Sequence, residues 1–221
     1  TLVVASYSKF VKKGTRNVSY AAFDQNNNVG TYTRTLTYSD YRAPRFVMHR
    51  PLHFHQNDSH DNVTLATMIQ ADDVLDGDIS PQIIVTSGDR YMFSEDTERM
   101  PISVQVSNRA GDTASLDLEV SYLSYTAFNR QSPNLRDYIL YTTVGSTPDY
   151  RGNILGVRSG TNTAELGDTR FDLYADFEID TSEADIHTPG AYVVRYHLTS
   201  DEAGERQLLG SAEMILVVEE E

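Results

Sequence analysis

The chain contains no cysteine and no tryptophan, has only three lysines, and lacks any apolar run near the roughly 18 residues needed to span a bilayer. The missing thiols exclude disulfides, thiolate catalysis and cysteine-ligated zinc in one step. For an extracellular protein, that pattern suits a bacterium or phage better than an animal. No Gly-x-Ser-x-Gly elbow, phosphate loop or dinucleotide fingerprint is present, so the expectation is a protein that is not an enzyme and needs no cofactor. No charged-then-apolar leader stands at Thr1, so either a signal has been removed or the chain is cut from something longer. The formal charge of −14, from 32 carboxylates against 18 Lys and Arg, argues against nucleic acid and anionic membrane surfaces as partners. Such an acidic surface is usually a solubility device, with calcium binding or a high-salt habitat as rarer readings.

What the chain does have is alternation. After Pro189-Gly190, residues Tyr192, Val194, Tyr196 and Leu198 alternate with Ala191, Val193, Arg195 and His197, the period of a half-buried strand. The polar break Ser200-Asp201-Glu202-Ala203-Gly204 then predicts a turn, and Ala212, Met214, Leu216 and Val218 predict the returning strand. A second copy of this closing pair reads Ile102, Val104 and Val106, then a polar loop, then Leu116, Leu118 and Val120, with Ser115, Asp117 and Glu119 on the opposite face. A weaker third copy begins at Lys13, where Lys13 to Tyr20 aligns without a gap to Pro189 to Tyr196. With Tyr20, Val106 and Tyr196 as anchors the copies lie 86 and 90 residues apart, close to the roughly 100 residues of a seven-strand sandwich.

The expected fold is therefore all-β, as tandem immunoglobulin-like β-sandwiches: residues 1–42 the closing part of one unit, 43–124 a second and 125–221 a third. Pro44 marks the entry to the second unit because it cannot join a strand ladder. In the third, Tyr138, Leu140 and Thr142 predict one strand and Phe171, Leu173 and Ala175 another, separated by the Gly-rich stretch Gly152 to Gly167. At most a short helical turn is expected near Val63 to Ile69, where a strand is the alternative. Units stacked end to end would make a semi-rigid rod of roughly 35 to 45 Å per unit.

Ala43-Pro44, the stretch from Asp72 to Ile79 and the closing pattern of Gly, Tyr, Val, Tyr and an Asp/Asn-Ala-Gly loop resemble the bacterial immunoglobulin-like repeats, of the hyalin-repeat kind, found in tandem on cell-surface proteins. The resemblance covers Lys13 to Phe46, most of the second unit and the last third of the third. It departs at Arg99-Met100, where the Pro-Gly turn is missing, and in the third unit, which has no Asp-Gly-Asp stretch. It implies a non-catalytic extracellular spacer, stalk or adhesion module that meets a protein or glycan ligand. The alternative is a structural subunit of a surface layer, filament or phage virion that pairs with copies of itself. Lys-Asn isopeptide cross-links, which stabilise related surface sandwiches, need a buried lysine, and residues 43–221 contain none.

Four stretches carry residue types that could do chemistry. His53, His55, Asp58, His60 and Asp61 superficially resemble a metallo-hydrolase signature, but the acid and third histidine are displaced, so the string reads as a solvated polar loop. Asp72, Asp73, Asp76 and Asp78 are the ligand type calcium prefers, yet they miss the EF-hand spacing, and a strand-capping turn with Gly77 at positive φ accounts for them. A second acidic run comprises Asp172, Asp176, Asp180, Glu183 and Asp185. The close carboxylates Asp201, Glu202 and Glu205, and Glu95 and Glu98, are expected by chance in so acidic a chain. Tyr192 and Tyr196 are expected to fill core, whereas Tyr91, Tyr125, Tyr141 and Tyr150 are candidates for exposed ligand contacts.

Overall fold

The computed structural model describes residues 2–9, 11–202 and 204–220, apart from the side chains of Lys12, Met92, Phe93 and Glu202. Eighteen strands are found among the described residues. In chain order they are β1 (Leu2–Tyr7), β2 (Thr15–Phe23), β3 (Val29–Thr37), β4 (Arg45–Val47), β5 (His53–His55), β6 (Gln70–Asp73), β7 (Gly77–Asp78), β8 (Ile84–Ser87), β9 (Tyr91–Ser94), β10 (Thr97–Ser107), β11 (Thr113–Leu123), β12 (Gln131–Leu135), β13 (Ile139–Thr143), β14 (Ile154–Ser159), β15 (Asn162–Glu165), β16 (Phe177–Asp180), β17 (Gly190–Glu202) and β18 (Glu205–Glu219). Two short helices, α1 (Asn62–Ala66) and α2 (Tyr125–Phe128), are each capped by the side chain before them: Asp61 accepts from the Thr64 amide and Ser124 from the Ala127 amide. The fold is all-β, and immunoglobulin-like sandwiches follow one another along the chain.

The first sandwich pairs the sheet β4-β6-β7 with the sheet β5-β11-β10-β8, to which β9 adds on β10. The alternation read from the sequence is realised in register: Met100, Ile102 and Val104 face Val120, Leu118 and Leu116, and all six are buried. Phe46, Ala71 and Val85 close the core from the other strands. In the second sandwich β12-β14-β15 covers β13-β18-β17-β16. Val194, Tyr196 and Leu198 face inward with Met214, Ala212, Leu216 and Val218. In both, a short strand runs parallel to the last long one, β5 along β11 and β13 along β18.

Several local expectations are revised. The polar break after Leu198 is shorter than expected, since Ser200, Asp201 and Glu202 continue β17 and pair with Gln207, Arg206 and Glu205; Ala203 lies outside the described residues. The stretch Gly152 to Gly167 is not a separator: it folds into the hairpin β14-β15, because Ile154 and Val157 bury against the core. Phe171 to Ala175 is not a strand. Asp172 holds the Tyr174 and Ala175 amides in a turn, and pairing begins only at Phe177. The string from His53 is likewise only partly loop, since His53 to His55 form β5.

The remaining strands, β1-β2-β3, make an antiparallel meander. Val18, which aligns with the buried Val194, is itself buried, but Tyr20 is 41 % exposed where its counterpart Tyr196 is 0 %. The equivalence of the anchors thus holds for strand position and fails for burial, since no second sheet lies over Tyr20 among the described residues. A polar knot ties this sheet to the first sandwich. The Lys13 amide and the Tyr41 hydroxyl both donate to Asp112, and Asn108 bridges the Tyr41 hydroxyl (2.8 Å) to the buried Asp73 carboxylate (2.9 Å).

The two sandwiches do not stack end to end. An end-to-end rod would place the last residues of β18 far from the start of β4, yet Arg45 at the head of β4 forms an ion pair with Glu219 at the tail of β18. The Phe46 amide donates to the Tyr141 hydroxyl (2.8 Å), and the Tyr138 amide to the Met48 carbonyl (2.7 Å). Tyr138 in turn accepts from the Ile215 amide, so its backbone spans both sandwiches. Arg99, on the outward face of β10 and bonded to Glu119, comes within 4.0 Å of Glu213 on the outward face of β18. The sandwiches therefore lie side by side. That arrangement also accounts for Ile139, which is buried although it points to the opposite face from Leu140 and Leu216.

Candidate functional site

Side-by-side packing leaves a recess between the sandwiches, and its lining is cationic. A cavity of about 570 Å³ is walled by His49, Arg50, His53, His55 and Asp58 from the first sandwich, Phe128 from α2, and Arg158 and Thr161 from the second. Arg50, Arg158 and Thr161 continue into an adjoining hollow that reaches Arg136, and His53, Phe128 and Arg158 into another that reaches Arg99 and Arg130. The one carboxylate in the main lining, Asp58, accepts from the His55 amide at 3.1 Å.

His53 records the local field. Burial first, and then the charges of Arg158 and Arg99, depress its pKa from the ordinary 6.5 to about 4, so it is neutral at pH 7. His55 lies against Phe128 with ring centroids 4.0 Å apart and stacks on Tyr125 at 6.1 Å and 11° between planes. Tyr125 is 77 % exposed beside His55. His60 is engaged elsewhere, with its ring 3.9 Å from Phe54, and Asp61 caps α1. The histidine string is thus divided between a cleft wall and a helix start, and Asp58 and Asp61 are each held by backbone amides.

The Asp72 to Asp78 stretch folds as a turn. Asp73 is buried and accepts from the Leu75 and Asp76 amides, Asp76 accepts from the Arg109 amide, and Asp78 from the Ser80 amide and hydroxyl. Asp72 points away to Arg42 at 3.2 Å, and Gly77 adopts φ +72. The second acidic run is spent similarly: Asp172, Asp180 and Asp185 accept from nearby amides, Asp176 from the Asp172 amide, and Glu183 pairs with Arg195. Glu98 pairs with Arg90 at 3.5 Å. Among the described residues no three His, Asp or Glu side chains converge as a metal-holding group.

The four candidate tyrosines separate. Tyr91 and Tyr125 are exposed, and Tyr91 donates to Glu119. Tyr141 is not a free contact, because it sits in the seam under the Arg45 guanidinium (4.8 Å to the ring centre), with burial pushing its pKa up to about 12. Tyr150 is half-buried against the core. The expected core residue Tyr196 is fully buried, while Tyr192 is half-buried with its hydroxyl on the Thr188 carbonyl. Arg50, Arg130, Arg136 and Arg158 escaped sequence reasoning because they have no common spacing, and Arg50 joins the others only across the seam.

No family model matches the sequence, and no curated protein matches it. Solved structures with partial likeness include the M60 catalytic domain with the CBM51-1 and CBM51-2 domains of Clostridium perfringens ZmpB, at 12 % identity and TM-score 0.27 over 99 % of this chain. The protocadherin gammaB7 EC3-6 cis-dimer gives 8 % and 0.22 over 99 %, and protocadherin gamma B2 extracellular cadherin domains 3–6 give 8 % and 0.20 over 94 %. This chain spans 28 %, 66 % and 57 % of those chains respectively. The assignment to immunoglobulin-like sandwiches rests on the strand order and register described above. No helix among the described residues is long and apolar enough to cross a membrane.

Proposed function

We propose that this chain is a non-catalytic, extracellular segment of a bacterial surface protein, built from immunoglobulin-like repeats of the hyalin-repeat kind and acting as an adhesion module. Residues 43–124 and 125–221 are its two complete units, and 1–42 the closing part of another. The observation that carries the reading is the recess between side-by-side sandwiches: a passive spacer gains reach from end-to-end stacking, whereas lateral packing shortens the segment and creates a walled ligand site. A protein or glycan surface ligand is the expected partner. The test is binding of the tagged chain to arrays of surface glycans and matrix proteins, with an array-wide blank overturning the reading.

A second reading, a self-assembling surface-layer, filament or virion subunit, is favoured by the β1-β2-β3 sheet. Val3, Tyr7, Tyr20 and Tyr32 share one face of it and are 61, 61, 41 and 65 % exposed. Residues 1–41 also carry Lys9, Lys12, Lys13, Arg16 and Arg34 against only Asp24 and Asp40, in contrast to the acidic remainder. A basic apolar sheet and an acidic body are complementary between copies in a head-to-tail sense. Light scattering behind size exclusion decides: concentration-dependent polymers that dissolve in high salt support assembly, and a monomer at every concentration refutes it.

A further inference from the structure

We infer that the recess beside His53 binds a carboxylate- or sulfate-bearing saccharide of one or two rings; this rests on the adhesion reading above and names its ligand class. Arg42, Arg45, Arg90, Arg99, Arg109, Arg195 and Arg206 each have a carboxylate within 4.0 Å. The arginines that line the recess and its adjoining hollows, Arg99 apart, do not. Among the described residues Arg50, Arg130 and Arg136 have no carboxylate partner, and Arg158 donates to the Gly160 carbonyl at 2.8 Å. Arg50 and Arg158 in the main cavity, with Arg136 and Arg130 in its two adjoining hollows, outnumber the acids beside them (Asp58, the Asp137 that lies 3.1 Å from His49, and Glu213) and concentrate positive potential in an anionic molecule. The depressed His53 agrees with that placement: burial is its first cause, and the Arg158 and Arg99 charges are its second and third.

Ligand shape follows from the walls. The volume of about 570 Å³ lies within the range of small-molecule sites. Of the strands bordering it, β4 and β5 are three residues long and β6 and β14 are already paired on both sides, so none offers an edge long enough to hold an extended peptide by main-chain pairing. Planar guanidinium forks bind carboxylate or sulfate oxygens in pairs, and the Tyr125 ring backed by His55 offers a flat surface for a sugar face. Arg50 and Arg158, which line both the main cavity and its extension, are the anion contacts, and Tyr125 is the stacking contact.

The test is isothermal titration of the full chain at low and physiological salt with four probes: sialyllactose, a glucuronate-containing disaccharide, neutral lactose and hexaglutamate. At least one acidic saccharide is expected to bind with a Kd between about 10 µM and 1 mM, weakening as salt rises, while lactose does not bind. Arg50→Gln, at an exposed position, and Arg158→Ala should each weaken binding at least tenfold, and Tyr125→Ala several-fold, with Arg50→Gln and Tyr125→Ala leaving the melting temperature unchanged. Tighter binding of hexaglutamate than of both acidic saccharides would overturn the saccharide assignment and leave the recess as an acidic-peptide site. Failure of all four probes, with Arg50→Gln matching the parent chain on the adhesion arrays, would overturn the recess as a site while leaving adhesion through another surface standing.

Discussion

The side-by-side arrangement is tested most directly through Arg45 and Glu219, which lie 174 residues apart in sequence and meet only if the two sandwiches lie flank to flank. Their side chains are 26 and 28 % exposed, and the contact is two-pronged, with Arg45 Nε to Glu219 Oε1 at 3.4 Å and a shorter second contact through Nη2. Fully exposed pairs contribute about 0.2 to 1 kcal/mol. A forked, half-buried pair should exceed that range modestly, at about 1 to 1.5 kcal/mol. Arg45 also lies over the Tyr141 ring, so Arg45→Met alone costs more than the pair, and only a double-mutant cycle with Glu219→Gln isolates the coupling. Urea unfolding of the four proteins at low salt should give a coupling of about 1 kcal/mol, equivalent to roughly 2 to 4 °C in Tm for a chain of this length. Additivity within about 0.3 kcal/mol would refute the forked, half-buried contact between the two sandwiches.

Asp73→Ala should cost about 3 to 5 kcal/mol by urea unfolding, since it strips the acceptor from two backbone amides and from Asn108, and Asp73→Asn should cost less. If the Asp72 to Asp78 stretch is a turn, millimolar calcium or its chelation leaves the melting temperature unmoved; a rise of several degrees with calcium would show a bound ion. His53 is neutral in the fold to about pH 4 but protonates near 6.5 when unfolded, so its contribution is complete above pH 6.5 and declines as pH falls toward 4. The loss is at most about 3 kcal/mol, and His53→Gln should flatten that part of the stability profile measured between pH 7 and 4.5. Gly210→Ala would put a methyl carbon 2.2 Å from the Gln131 carbonyl oxygen, so the two sheets of the second sandwich must separate there, and a loss above about 2 kcal/mol in urea unfolding is expected.

Sequence alone determined the strand content and the two long closing hairpins. Period-2 alternation is a local property: once Ile102, Val104 and Val106 must be buried, their odd-numbered neighbours have to face the other way, whatever the rest of the chain does. The Asp72 to Asp78 turn was legible for the same reason, because an Asp side chain reaches amides only two or three residues away. The hairpin β14-β15 was hidden by its glycines, and the turn at Asp172 by apolar residues that mimic a strand. Lateral packing could not be read at all. It depends on the Tyr138 backbone joining Met48 to Ile215 and on Arg45 meeting Glu219, contacts with no spacing rule. Only the tertiary structure therefore decided that Tyr141 belongs to a seam and that Arg50 and Arg158, more than a hundred residues apart, share one cationic recess.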